Sequence, residues 1–135
     1  MKRAMLSIGI CTLAVGCGGS DSPSQTLSGP ITLATVQQQV FSPSCAVTDC
    51  HIGPDPEQGL DLSAGSAYAN LVNVQAAEIN NYMRVEPGNA ADSYVYMKIT
   101  NDLRILGDPM PLVGGPLSDS KIRLVERWID EGANP

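Results

Sequence analysis

The whole chain of 135 residues holds a single histidine, and it follows directly on a cysteine. His51 closes the segment Ser44-Cys45-Ala46-Val47-Thr48-Asp49-Cys50-His51, where another cysteine stands five positions before Cys50. Two thiols and an adjoining imidazole in one short loop leave few structural options. Either the thiols join as a Cys45–Cys50 disulfide, with His51 an ordinary surface residue, or they add across the two vinyl groups of a haem. In the second case two thioethers form and the imidazole reaches the iron from the same side. The usual attachment spacing puts two residues between the cysteines. Here there are four, so the extra two must bulge away from the macrocycle edge. Zinc chemistry is poorly served, because Cys45, Cys50 and His51 lack a well-spaced fourth ligand. Blue copper, which wants two histidines, fails on count.

The first quarter of the chain does not read as part of the folded domain. Lys2 and Arg3 make a positive start, and Ala4 to Val15 are apolar or small without charge. That run is too short to span a bilayer but suits the core of a secretory signal. It ends in Leu13-Ala14-Val15-Gly16-Cys17, which resembles the lipobox cut just before its cysteine. Residues 1–16 are therefore expected to be a lipoprotein signal peptide, with Cys17 the lipidated first residue of the mature chain. Each buried lipid methylene would contribute about 0.8 kcal/mol to membrane binding. The alternative is an ordinary signal cut elsewhere, with Cys17 a bystander. Residues 17–30, rich in Gly, Ser, Asp and Pro, fit a flexible tether, and residues 31–135 are left as one small domain. The expected location is the cell envelope, on the periplasmic side or at the outer membrane. With Cys11 lost to the signal and Cys17 claimed by lipid, only Cys45 and Cys50 belong to the domain.

Removal of Lys2 and Arg3 leaves six basic residues against fourteen acidic ones, a net charge of −8. No basic patch remains to hold nucleic acid. Aromatic residues are scarce: Phe41, Tyr68, Tyr82, Tyr94, Tyr96 and Trp128 make up the domain's stock. A large buried planar cofactor would help to fill such a core.

The pattern is helical, with no competing strand signal. Ile31 to Phe41 places Leu33, Val36, Val40 and Phe41 near one face, with Thr32 or Thr35 as cap and Pro43 as stop. Ser63 to Val74, capped by Ser63 or Ser66, reads as a second helix with Tyr68, Leu71 and Val72 as its apolar positions. Ala90 to Ile99, capped by Asn89, reads as a third. In the fourth, Ser118 caps, Asp119 suits the first turn, and Ile122, Val125 and Ile129 recur at helical spacing until Gly132 ends the helix. Between them lie long Gly- and Pro-rich stretches, Gly53 to Gly59 and Gly107 to Pro116. Such loops in a small helical domain suggest that something other than helix packing organises the centre.

A six-coordinate haem needs a second axial ligand, and with one histidine the strongest remaining type is a methionine thioether, which raises the potential relative to a second imidazole. Met83, Met97 and Met110 are the methionines of the domain. Met110 stands in Asp108-Pro109-Met110-Pro111, where the prolines favour extended backbone and can hold the thioether out towards the iron. Met97 fits a helix face as core filler. Met83, beside Arg84, is the weaker second candidate.

Taken together, a cysteine pair ending in Cys50-His51, then Met110-Pro111, Gly114-Gly115-Pro116, Leu117-Ser118 and a helix closing with Trp128-Ile129-Asp130-Glu131-Gly132-Ala133, resemble the cytochrome c family. The likeness is to its planctomycete-type and myxobacterial envelope forms in particular. Arg84-Val85-Glu86-Pro87-Gly88-Asn89 with Ser93-Tyr94 is similar to the family's segment before its third helix. The resemblance covers roughly Leu33 to Pro135. It implies an all-α, cytochrome c-like fold of about four helices around one covalent haem c, attached at Cys45 and Cys50 with His51 proximal and Met110 distal. Gly59-Leu60-Asp61-Leu62 and Leu112 would pack on the macrocycle, or equally be buried in a haem-free core, and Arg84 is either a solvated surface residue or a partner for a haem propionate.

The function so implied is electron transfer rather than catalysis, with both axial ligands staying on the iron. The partners would be a redox protein bearing a basic patch and the membrane, reached through the N-terminal lipid. Two other readings stand beside it: a haem enzyme or gas sensor in which Met110 leaves the iron, and a haem-free lipoprotein module stapled by a Cys45–Cys50 disulfide, with a structural or binding role.

Overall fold

The computed structural model describes residues 29–135. The expected signal peptide, the expected lipid attachment at Cys17 and nearly all of the expected tether lie outside the described residues. Within them the protein is all-α: four helices and two short 3-10 turns, with isolated bridges but no strand. No helix among the described residues is long and apolar enough to cross a membrane.

Helix α1 (Leu33–Val36) runs without a break through a π-helical turn (Gln37–Phe41) into a last α-helical turn (Ser42–Ser44). Its apolar face is the expected one, with Val36, Val40 and Phe41 buried. Its ends differ from expectation. Neither threonine side chain caps it; the free Leu33 N–H instead donates to the Asn134 carbonyl at 2.9 Å, and the Ile31 N–H to the Glu131 carboxylate at 2.7 Å. The C-terminal residues thus supply the acceptors that an exposed helix start would otherwise lack. Pro43 does not stop the helix but lies inside its last turn. In a regular α-helix a proline ring clashes with the carbonyl four residues back. Here the preceding turn is wider, with Ser42 N–H bonded to Gln37 C=O, and the helix ends only where Cys45 and Ala46 both donate to Phe41 C=O, at 2.8 and 2.7 Å.

Helix α2 (Ala67–Leu71) is much shorter than the Ser63–Val74 expected, and neither Ser63 nor Ser66 caps it with its side chain. The chain turns extended at Val72 because its backbone pairs elsewhere: Val85 N–H donates to Leu71 C=O and Asn73 N–H to Val85 C=O, both at 3.0 Å. The third expected helix is likewise split. Asn89 does cap, accepting from Asp92 N–H at 3.2 Å, but it starts a 3-10 turn (Ala90–Asp92) and not an α-helix. Ser93 breaks the run, its buried hydroxyl accepting from Glu86 N–H and donating to Asn89 C=O, both at 2.8 Å. Helix α3 (Tyr94–Thr100) then starts with Tyr94 and Val95 N–H bonded to the carbonyls of Met83 and Arg84. Tertiary pairing with residues 83–85 outweighs local propensity in both places.

Helix α4 (Asp119–Asp130) follows its sequence closely. Ser118 occupies the N-cap position without a side-chain cap bond, and Asp119 sits in the first turn. At the other end Gly132 takes φ +102°, its N–H bonds Ile129 C=O, and Ala133 N–H reaches Trp128 C=O at 2.8 Å. This is the paired-bond ending for which glycine is favoured, because the left-handed position carries no Cβ. Leu124, Val125, Trp128 and Ile129 are buried against α1, where the Phe41 and Trp128 rings meet edge to face, 6.3 Å apart at 83°. The indole N–H donates to the same Asn134 carbonyl that caps α1, at 2.7 Å. One core therefore joins the first and last helices and takes in Ala67 and Leu71 of α2, and α3 and the long loops border a cleft beside it.

Candidate functional site

The cleft has a volume of about 470 Å³, within the range of small-molecule and cofactor sites. Cys45, Cys50, His51, Arg84 and Met110 all line it, though the chain between the first and last of them runs through two helices. Its walls are mostly apolar, from Val40 and Phe41 on α1, Leu60 and Leu62, Val95 and Ile99 on α3, and Val125 on α4.

The Cys-His loop is built on the end of α1. Cys45 follows its last turn, and the four residues to Cys50 fold into a tight turn in which Cys50 N–H donates to Val47 C=O at 3.1 Å. Asp49 takes φ +64°, a left-handed conformation that aspartate tolerates better than most residues. His51 N–H returns to Cys45 C=O at 3.3 Å, so the longer intervening segment closes on itself and leaves both cysteines at the cleft. Both are free thiols. Burial pushes the Cys45 thiol up to about 11, against the lowering effect of Lys121, so at neutral pH it stays protonated.

Residues 57–62 hold the histidine from its backbone and its ring. Glu57 N–H donates to Cys50 C=O and Leu62 N–H to His51 C=O, both at 2.8 Å. The ring Nδ1 lies 3.2 Å from Leu60 C=O. A carbonyl can only accept, so Nδ1 carries the hydrogen and Nε2 keeps its lone pair. Burial lowers the imidazole below its ordinary value, offset in part by the Leu60 and Glu57 contacts, which favours the neutral ring that a metal ligand requires. A ligating histidine whose other nitrogen is fixed by a backbone carbonyl is the recurrent arrangement of metal sites.

Of the three candidate methionines, only Met110 lines the cleft. Met97 is fully buried with Ala76 and Tyr94 in a second apolar cluster, as its helical position suggested, and Met83 is 40% exposed away from the cleft. Met110 is tied to α3 by its N–H, which donates to Lys98 C=O at 2.9 Å.

Arg84 is not a solvated surface side chain: only 9% of it is exposed. Its guanidinium donates to the carbonyls of Asn70 at 2.9 Å, Gln58 at 2.7 Å and Gly59 at 3.3 Å. Among the described residues it has no carboxylate partner. Burial alone lowers its proton affinity. A buried cation satisfied only by neutral acceptors is costly and gains from an anion in the adjoining cleft.

Leu60, Leu62 and Leu112 line the cleft, whereas Gly59 contributes its carbonyl to Arg84. Sequence reasoning missed Lys98 and Glu78, which form an ion pair of 2.9 Å at the cleft. The only available signal was a lysine among the apolar positions of α3. Among the described residues, no three His, Cys, Asp or Glu side chains converge as a metal-binding group. No protein-family model, curated protein or solved structure matches the chain.

Proposed function

We propose that this chain is a c-type cytochrome of the cell envelope, a His51/Met110-ligated electron carrier with one covalently attached haem c. The observation that carries the reading is the convergence of Cys45, Cys50, His51, Arg84 and Met110 on one largely apolar cleft, with His51 Nε2 left free to coordinate. The donor set fits the group: two thiols for the vinyl positions, an oriented imidazole, a soft thioether, and a buried guanidinium for a carboxylate. The all-α frame agrees with the fold that the family resemblance implies.

When bound, a haem supplies a one-electron couple at its iron. The protein's own part is to hold and tune. Cys45 and Cys50 fix the macrocycle edge, so it cannot be lost outside the cell. His51, held by Leu60 and Leu62, presents Nε2 in a set direction. The Met110 thioether and the apolar walls favour the less charged, reduced state and so raise the potential. Arg84 offers hydrogen-bonding cationic groups to a propionate. Lipid on Cys17 would keep the carrier at the membrane, and its acidic surface would draw a partner with a basic patch.

Expression in a host with cytochrome c maturation tests the reading. The protein should be red, and its colour should survive acid-acetone extraction, which removes haem that is not covalently held. Cys45→Ser with Cys50→Ser should abolish that retention. A colourless protein with Cys45 and Cys50 joined as a disulfide would overturn the proposal in favour of a haem-free lipoprotein module.

A further inference from the structure

We propose that Lys98 is the positioning residue that holds the Met110 loop at the cleft. Its consequence at the iron rests on the haem reading, but the grip itself does not. Between Leu106 and Val113 the loop from α3 to α4 has little apolar anchorage: Leu106, Leu112 and Val113 are at least half exposed, and only beyond them does Leu117 enter the main core. Ile105 alone packs against the second apolar cluster. What ties residues 106–110 down is polar and comes from α3. Lys98 Nζ donates to Leu106 C=O at 2.7 Å and to Asp108 C=O at 3.1 Å, while Lys98 C=O accepts from Met110 N–H at 2.9 Å. Tyr94, one turn earlier, accepts from Leu106 N–H through its hydroxyl at 3.1 Å. Residues 106, 108 and 110 are thus each fastened to one helix face.

An ammonium has three donors, and Lys98 uses all of them: two on the loop and one on Glu78, at 2.9 Å. Its side chain is 10% exposed, and the charge also lies 5.6 Å from the centre of the Tyr94 ring. A buried charge is tolerable only when every donor is satisfied. Loss of the ammonium leaves two loop carbonyls and a carboxylate without their partner, and removes two of the bonds that hold the loop to the helix. Met110 would then have to be ordered anew each time its sulfur reaches the iron. The fraction of molecules with the thioether in place falls, and external ligands compete better for that position. Lys98 therefore sets how firmly the distal position is closed without touching the iron.

Two measurements on the full chain test this. Hydrogen exchange read by mass spectrometry needs no haem: Lys98→Met, which keeps the apolar stem, should speed exchange over residues 106–110 about tenfold or more while α4 stays protected. Unchanged exchange in the loop, or equal loosening of α4, would overturn the proposal. In the haem-loaded protein, ferric Lys98→Met should bind imidazole about tenfold more tightly than wild type, in line with the usual effect of removing a ligand's support, and Lys98→Arg should recover part of the difference. Unaltered imidazole binding in a haem-loaded variant would contradict the role at the iron. Glu78→Gln removes the ion pair but leaves the ammonium on both loop carbonyls. Its loop exchange should stay much closer to wild type than to Lys98→Met, and equal release would assign the effect to the ion pair instead. Should Lys98→Met fail to fold, Lys98→Gln, one atom shorter and with fewer donors, carries the same comparison. Failure of the haem reading is separately visible as wild-type protein that acquires no covalent haem.

Discussion

Part of the cleft wall comes from α1 and α4, where Val40, Phe41 and Val125 belong to the continuous core and Asn134 locks the two helices together. Another part comes from the α3–α4 loop, which carries Met110 between exposed Leu106, Leu112 and Val113 and is held by hydrogen bonds to α3. The first is fastened by apolar burial, the second by a few polar contacts. A helical side bearing the Cys-His loop and a lightly anchored side bearing the thioether can be altered separately, so stability and the proposed distal ligation should come apart in mutants.

The largest expected effect is on the helical side. Trp128→Ala removes a fully buried indole, its edge contact with Phe41 and the bond to Asn134, and should cost about 3–5 kcal/mol in urea unfolding. A loss as small as that of a surface substitution would erase the contrast. Arg84→Met comes next. It leaves three carbonyls without their cationic donor, and about 1–3 kcal/mol of stability should go with it, together with a change in potential if the guanidinium faces a propionate. On the loop side, Leu112→Ser should shift stability by no more than about 0.5 kcal/mol, because the side chain is already 66% exposed. The smallest effect concerns Asp102 at the start of the loop, where the Arg104 hydrogen bonds hold the carboxylate down at about 2. A depressed carboxylate stabilises the fold above its ordinary value near 3.8 and loses that contribution as pH falls towards 2. Asp102→Asn should therefore lower stability slightly at neutral pH, flatten the acid limb of the profile, and make no difference once pH falls to about 2. The pair is exposed, and salt should diminish the difference.

How far the sequence could be read follows the same division. Helix α4 was legible in extent and apolar face because its determinants are local, an amphipathic repeat, an acidic first turn and a glycine ending, although Ser118 makes no side-chain cap bond. α2 and the start of α3 were not, since residues 83–85 intercept their backbone groups, and no short-range pattern announces pairing between Leu71 and Val85. Pro43 misled because the wider turn before it is a property of the whole helix and not of the proline. Among residues of the candidate site, Cys45, Cys50, His51 and Met110 were legible through the rarity of their side chains in this chain. Arg84 could be named, but its burial could not be foreseen. Lys98 escaped notice because its partners, Glu78, Leu106 and Asp108, are scattered along the chain and only the fold brings them to one ammonium.

The near-infrared band given by ferric haem iron bound to thioether sulfur is the most direct probe of the proposed site. It should be present in the holoprotein, vanish in Met110→Ala with a lowered potential, and persist in Met97→Ala and Met83→Ala. Its persistence in Met110→Ala, or its loss in either of the other two, would contradict the assignment of Met110 as the distal ligand.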